Sequence, residues 1–132
     1  MAAGKTASVS ASPVVRALRL ARKLTRAEIQ VHISHRRREK DVVAKAQKIF
    51  DLFEMSRSED RSGVLIYVNL RAKTFAIVVD EGAYRAAGAA YWQGLSGLLR
   101  EDLLSTHPDN AIAVAARTIG ATLEQFFPVK TS

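Results

Sequence analysis

Two apolar segments separated by only three residues constrain the fold more than any other feature of this sequence. Residues 63–70 (GVLIYVNL) and 74–80 (TFAIVVD) are rich in β-branched and apolar side chains, which favours strands. The linker, residues 71–73, is too short for a crossover, so the two strands are predicted to form an antiparallel hairpin. With the tightest pairing across this linker, Gly63 faces Asp80 at the open end of the hairpin.

Hydrophobic periodicity predicts the remaining elements. We expect a helix capped by Ser12 over residues 13–25, a strand over 28–33, a helix over 41–55, a short turn or helix near 83–87, a helix over 90–104 with Leu98 facing inward, and a last helix from about Pro108 to Pro128. A crossover from strand to helix to strand makes its two strands parallel. The predicted fold class is therefore α/β, a three-layer α/β/α sandwich whose small mixed sheet contains the central antiparallel hairpin.

Length and composition favour a single domain. The chain has 132 residues, of which 48% are hydrophobic, enough for one core over residues 13–128. We expect a disordered leader at 1–12 and a tail at 129–132. The longest apolar stretch, residues 75–79, is too short to cross a bilayer, and the leader lacks the apolar segment of a secretory signal, which together predict a soluble, cytoplasmic protein without a transmembrane segment.

Positive charge is concentrated in the first third of the chain. The net charge is +7, and residues 1–40 hold ten Lys and Arg residues against only Glu28 and Glu39. The predicted basic surface comprises Arg16, Arg19, Lys23, Arg26, Arg36, Arg37 and Arg38. Such a surface could contact a protein partner or an anionic membrane surface, or could simply be solvated. The absence of aromatic residues between its charges argues against nucleic acid.

Strand polarity places four acidic residues at one edge of the predicted sheet. Glu28 begins the first strand, Asp60 precedes the second, and Asp80 and Glu81 follow the third. Clustered carboxylates repel one another unless a cation, a proton or an arginine intervenes, and their hard oxygen atoms suit Ca²⁺ or Mg²⁺. A purely structural alternative is that Asp60 lies in an exposed turn, Asp80 caps a strand end, and Glu28 pairs with Arg26 or Arg61.

Several motifs occur in a fixed order along the chain. They are TRAEI at residues 25–29 with Val31, DRSGVLIYV at 60–68, FAIVVDEG at 75–82, Tyr91-Trp92 and Phe126-Phe127-Pro128. Together they resemble the TPM domain family, which is named from a thylakoid lumen protein, a photosystem II repair protein and a modulator of acetylcholine receptors. The likeness covers residues 14–128. The chain departs from longer members, which have a Gly-Tyr-Gly-Leu-Glu stretch after the third strand, and from the many relatives that carry a signal peptide and a membrane anchor.

The resemblance implies an α/β/α sandwich with an acidic edge that binds divalent cations in some members. The implied metal site is Glu28, Asp60 and Asp80, with Glu81 as a further candidate. Weak acid phosphatase activity is ascribed to plant relatives, whereas in other members the domain resembles a noncatalytic module for assembling membrane complexes. Our leading hypothesis is a noncatalytic binding or assembly module with a Ca²⁺ or Mg²⁺ site and a basic face. The alternatives are a metal-assisted phosphatase in which Arg61 steadies phosphate, and a basic-face binder of anionic membranes or nucleic acid.

Overall fold

Five helices and three strands make up the part of the chain that the computed structural model describes, residues 12–130. Along the chain they are α1 (Pro13–Leu24), β1 (Ile29–Ser34), α2 (Val42–Leu52), β2 (Val64–Asn69), β3 (Thr74–Val79), α3 (Glu81–Ala87), α4 (Ala89–Ser105) and α5 (Pro108–Glu124). The predicted leader lies outside the described residues except for Ser12, as do the last two residues of the predicted tail, so these domain boundaries stay a prediction.

The strands form one mixed sheet in the order β1-β2-β3. β1 runs parallel to β2, and β2 runs antiparallel to β3. At the open end of the hairpin Val64 pairs with Val79, and beyond them the Asp80 N–H donates a 2.9 Å hydrogen bond to the Gly63 carbonyl. Both the antiparallel hairpin and its predicted register are confirmed.

The central strand is covered on both faces, which explains why β2 is almost wholly apolar. Val64, Ile66 and Val68 join the main core with α1, α4 and α5, whereas Leu65 and Tyr67 face α2. All six residues of β2 are buried. The three-layer α/β/α sandwich is therefore confirmed, with α2 forming one outer layer by itself.

Asn69 fixes the turn of the hairpin. Its side-chain oxygen accepts hydrogen bonds from the N–H groups of Arg71 at 3.0 Å and Ala72 at 2.9 Å. This is the local bonding by which asparagine favours turns. The left-handed backbone position falls on Lys73, which has φ 58°. The turn signal was present in the sequence, at the last residue of the strand.

Two local predictions were wrong in detail. Leu98 is 57% exposed, because Leu95 and Leu99, one helical turn apart, form the inward stripe of α4 and leave Leu98 outside it. Ser12 occupies the position before α1, but its side chain makes no capping hydrogen bond; only its carbonyl accepts the Arg16 N–H, at 3.0 Å. Among residues 12–130, no helix is both long and apolar enough to cross a membrane.

Candidate functional site

The four predicted acidic residues lie at the same edge of the sheet, where β1 and β2 begin and β3 ends. The Glu28 carbonyl accepts a 2.9 Å hydrogen bond from the Val64 N–H, which ties the start of β1 to the start of β2. Asp60 lies in the loop before β2, Asp80 follows β3, and Glu81 begins α3. We refer to Glu28, Asp60, Asp80 and Glu81 as the acidic edge.

Three arginines pair with the four carboxylates of the acidic edge. Arg26 Nε lies 2.8 Å from Asp60 Oδ2, and Arg57 Nη2 lies 3.3 Å from Glu28 Oε1. Arg61 holds Asp80 with two bonds, Nε to Oδ2 at 2.8 Å and Nη2 to Oδ1 at 2.9 Å. Its Nη1 also lies 3.6 Å from Glu81 Oε1.

The partner of Glu28 differs from both structural alternatives. The predicted partners were Arg26 and Arg61, whereas Glu28 pairs with Arg57, which follows α2. Arg26 pairs with Asp60 instead, and its Nη1 also donates a 2.7 Å hydrogen bond to the Pro128 carbonyl. A local sequence pattern does not reveal the Arg57 contact, because packing of α2 on the sheet creates it.

Asp80 is the most constrained carboxylate of the acidic edge. Its side chain is only 6% exposed, and its Oδ1 also accepts the Glu81 N–H at 2.8 Å, which caps α3. Burial alone would raise the pKa of Asp80, but the hydrogen bonds from Arg61 and Glu81 outweigh it, so that pKa lies below its ordinary value. For Asp60, the hydrogen bond from Arg26 is the largest cause of its lowered pKa.

The carboxylates of the acidic edge are paired with arginines of the same chain. Within residues 12–130, no three acidic or histidine side chains are grouped so that they could hold a metal ion. A Ca²⁺ or Mg²⁺ ion would therefore require some arginines to leave their carboxylates. Metal coordination by Glu28, Asp60, Asp80 and Glu81 stays a prediction.

The opposite edge of the sheet, where β1 and β2 end, carries a second polar constellation. Glu39 accepts a 2.7 Å hydrogen bond from the Tyr67 hydroxyl and a 3.1 Å bond from Asn69 Nδ2. Asn69 Nδ2 also donates to the Arg36 carbonyl at 3.0 Å. Tyr67 and Asn69 are both buried, and burial raises the pKa of the Tyr67 hydroxyl. The core thus anchors the loop of residues 36–40.

A cavity of about 310 Å³ lies between this loop and the first half of α2. Its charged lining, which we call the basic edge, comprises Arg36, Arg38, Lys40, Lys45 and Lys48 together with Glu39 and Asp41. The two acids have other tasks, since Asp41 Oδ1 caps α2 by accepting the Ala44 N–H at 3.0 Å. The net result is an open cavity with an excess of cations.

The predicted basic residues lie in three places. Arg26 belongs to the acidic edge, and Arg36, Arg37 and Arg38 follow β1 at its opposite end. Arg16, Arg19 and Lys23 are exposed along α1. Sequence reasoning missed Lys45 and Lys48 as partners of the arginine loop, although the position of both lysines near the start of the predicted second helix was a usable signal.

The comparisons with known proteins identify the family. The family model for the TPM domain matches residues 8–122. The chain belongs to the TPM domain family. A similar solved structure is the NMR structure of BA42 protein from the psychrophilic bacterium Bizionia argentinensis, with 28% sequence identity and a TM-score of 0.82. That likeness covers 93% of this chain and 84% of the BA42 chain, and a comparison with curated proteins gave no match.

Both edges of this TPM domain fall within the matched residues. Glu28, Asp60, Asp80 and Glu81 lie inside residues 8–122, as does the whole basic edge. Membership therefore agrees with the family resemblance seen in the sequence. It assigns no role to either edge.

Proposed function

We propose that this TPM domain is a noncatalytic binding module that holds an acidic segment of a partner protein at its basic edge. The observation that supports this is the anchored loop, in which buried Tyr67 and Asn69 take up Glu39 and leave the arginines beside it facing the cavity. A loop held in place loses little conformational entropy on binding, so its charges are preorganised for an anion.

The shape and lining of the cavity favour a protein segment over the other anionic partners. The cavity is wide open to solvent, so an extended acidic segment of a partner can lie across it. No aromatic side chain is among its lining residues, and single-stranded nucleic acid needs such side chains for base stacking. Acidic side chains of a partner would meet five cations against the two acids Glu39 and Asp41, and this complementarity also speeds association.

Titration of ¹⁵N-labelled protein with hexaglutamate, followed by amide NMR, tests the proposal. We expect shifts in residues 36–48 and an affinity that falls as salt rises from 50 to 300 mM. The double variant Arg36→Glu/Arg38→Glu should bind roughly thirtyfold more weakly, since each reversed charge changes the binding free energy by about 1 kcal/mol and the two together by about 2 kcal/mol. Arg19→Glu is the matched control, because Arg19 is exposed on α1 and lies outside the basic edge.

Three outcomes of this titration would contradict the proposal. The first is no binding at millimolar hexaglutamate. The second is binding that does not respond to salt. The third is an equal loss in Arg19→Glu and in the loop variant. Tighter binding to vesicles with a quarter phosphatidylserine, or to an oligothymidine, would favour the membrane or nucleic-acid alternative instead.

The divalent-cation site of the acidic edge is a second, separate proposal, and it rests on the gathering of four carboxylates in a TPM domain. Ca²⁺ or Mg²⁺ would have to compete with Arg26, Arg57 and Arg61 for the carboxylate oxygens. Amide shifts near residues 28, 60 and 80 at millimolar metal would support the site. Their absence would contradict it.

Phosphomonoester hydrolysis is the enzyme alternative, and it depends on the same metal site. Arg61 would have to leave Asp80 in order to steady a phosphate group. We would measure hydrolysis of p-nitrophenyl phosphate with added Mg²⁺. Equal turnover by the wild type and by Asp60→Asn/Asp80→Asn would rule this alternative out.

A further inference from the structure

An apolar slot opens at the same edge of the sheet as the basic edge, on the opposite face. Its lining, which defines the slot, is Val68, Asn69, Leu70, Lys73, Phe75, Arg100, Leu103, Leu104 and Pro108. Val68 and Phe75 face the layer that contains α4, whereas the basic edge adjoins α2. Asn69 lies between the two, because it lines the slot and also donates to the Glu39 carboxylate.

The chemistry of the slot is that of an amphipathic anion site. Most of its lining is aliphatic or aromatic, and its two charged side chains, Lys73 and Arg100, are both cationic and exposed. The Arg100 guanidinium lies 5.7 Å from the centroid of the Phe75 ring, a cation–π contact. An occupant that matches this lining has an apolar group and a neighbouring negative charge.

The size of the slot limits the apolar group to a single side chain. Its volume is about 110 Å³, and an apolar cavity of roughly 150 Å³ holds one benzene molecule. Cofactors and drug-sized ligands use cavities of about 300–1,000 Å³. A pocket for one anchor residue is instead typical of the centre of a protein interface, where a few buried side chains supply most of the affinity.

The walls of the slot are fixed before any partner arrives. Asn69 holds the turn through its bonds to Arg71 and Ala72, and Val68 is only 1% exposed. The rim, in contrast, presents Leu104, which is 78% exposed and therefore offers apolar surface to a partner. Little ordering is needed to receive an anchor here.

We propose that the slot takes one branched aliphatic or aromatic side chain of a partner polypeptide, while acidic residues of the same segment contact Arg100 and Lys73. This inference rests on the proposed function, because it names the chemistry of the partner that the basic edge would hold. The segment would run past the end of β2 from one face of the sheet to the other.

Two acetylated, amidated pentapeptides test the slot: four glutamates around a central leucine, and the same peptide with a central alanine. We expect the leucine peptide to bind about tenfold more tightly, since burying a leucine side chain is worth at least that factor. Amide signals of Leu70, Phe75 and Leu103 should shift with the leucine peptide, and should move far less with the alanine peptide.

Variants at exposed positions of α3 and α4 separate the slot from general effects. Leu104→Ser should remove most of the preference for leucine, whereas Leu98→Ser, a matched exposed leucine outside the slot, should leave it unchanged. Arg100→Gln should weaken both peptides severalfold, and Arg85→Gln, exposed on α3, should not. These positions are outside the core, so folding is expected to survive each change.

The outcomes distinguish the slot from the basic edge. Equal affinity for the two peptides, or no binding of either at millimolar concentration, overturns the slot. If the peptides bind equally but Arg36→Glu/Arg38→Glu weakens both, the proposed function stands without the slot. If the leucine preference persists and Arg100→Gln weakens both peptides while the double variant has no effect, the slot stands and the basic edge does not.

Discussion

Replacing Asp80 by asparagine should destabilise the protein by about 2 kcal/mol at pH 7. The carboxylate accepts three hydrogen bonds of 2.8–2.9 Å, two of them from Arg61. Bonds to a charged acceptor contribute about 1.5–3 kcal/mol each, against about 1 kcal/mol for neutral pairs. Asparagine keeps Oδ1, which accepts the Glu81 N–H and Arg61 Nη2, but it loses the negative charge and the Oδ2 bond to Arg61 Nε. The easier burial of an amide offsets part of that loss.

Urea denaturation followed by circular dichroism measures this effect. Because the free energy of unfolding falls by about 1–3 kcal/mol per molar urea, the urea midpoint should fall by about 1 M. Asp60→Asn is the control: Asp60 and Arg26 have side chains 32% and 29% exposed, and such pairs contribute about 0–1 kcal/mol. Asp80→Asn should therefore be clearly the more damaging variant.

The pH dependence gives the decisive check. Because the pKa of Asp80 is lowered by folding, its stabilisation is present above the unfolded-state pKa of about 3.9 and is lost as pH falls through the lower folded value. The difference between wild type and Asp80→Asn should therefore shrink below about pH 4. A difference that stays constant down to pH 2.5, or equal effects of Asp60→Asn and Asp80→Asn at pH 7, would refute the reasoning.

Three further substitutions, one of them with a matched control in α4, test how the two edges are built. Gly82→Ala should destabilise the protein by about 1–3 kcal/mol, measured in urea, because its new Cβ would lie 1.9 Å from the backbone oxygen of Asp60. The control Gly97→Ala, whose Cβ would have nothing within 4 Å, should stabilise the protein by about 0.5–1 kcal/mol. Tyr67→Phe should lower the free energy of unfolding by about 1 kcal/mol and weaken hexaglutamate binding, because Glu39 loses a 2.7 Å hydrogen bond. Unchanged binding would show that the Tyr67–Glu39 hydrogen bond is dispensable for the basic edge. Asn69→Ala should lower the urea midpoint by at least about 1 M, and a smaller loss than in Tyr67→Phe would contradict its place at the turn.

Local patterns in the sequence predicted most of the fold. The alternation in residues 28–33 and the short linker at 71–73 are signals carried by neighbouring residues, and they led to the correct strand order and hairpin register. Leu98 shows where such reasoning fails. Helical spacing marks a broad apolar stripe, but only packing against α5 decides that Leu95 and Leu99 are buried and Leu98 is not.

The acidic edge was predictable only in outline, because strand polarity places a residue at an edge without giving it a partner. The sequence placed Glu28, Asp60 and Asp80 correctly at one end of the sheet. Their arginine partners depend on the contact between α2 and the sheet and on the path of the chain end, where Arg26 also meets Pro128. Neither this contact nor this path can be predicted from a fixed spacing of residues along the sequence.

Counting charges along the chain was a poor guide to where an anion could bind. In the structure the half-buried Glu39 keeps its charge, but its oxygens accept hydrogen bonds from Tyr67 and Asn69 rather than from the arginines beside it. Asp41 is likewise taken up by the start of α2. At the acidic edge the three arginines are all paired with carboxylates, so they are not available to an anion from outside. An edge with many acids is thus closed by pairing, while the edge with few acids stays cationic, and it is there that a partner of opposite charge should bind.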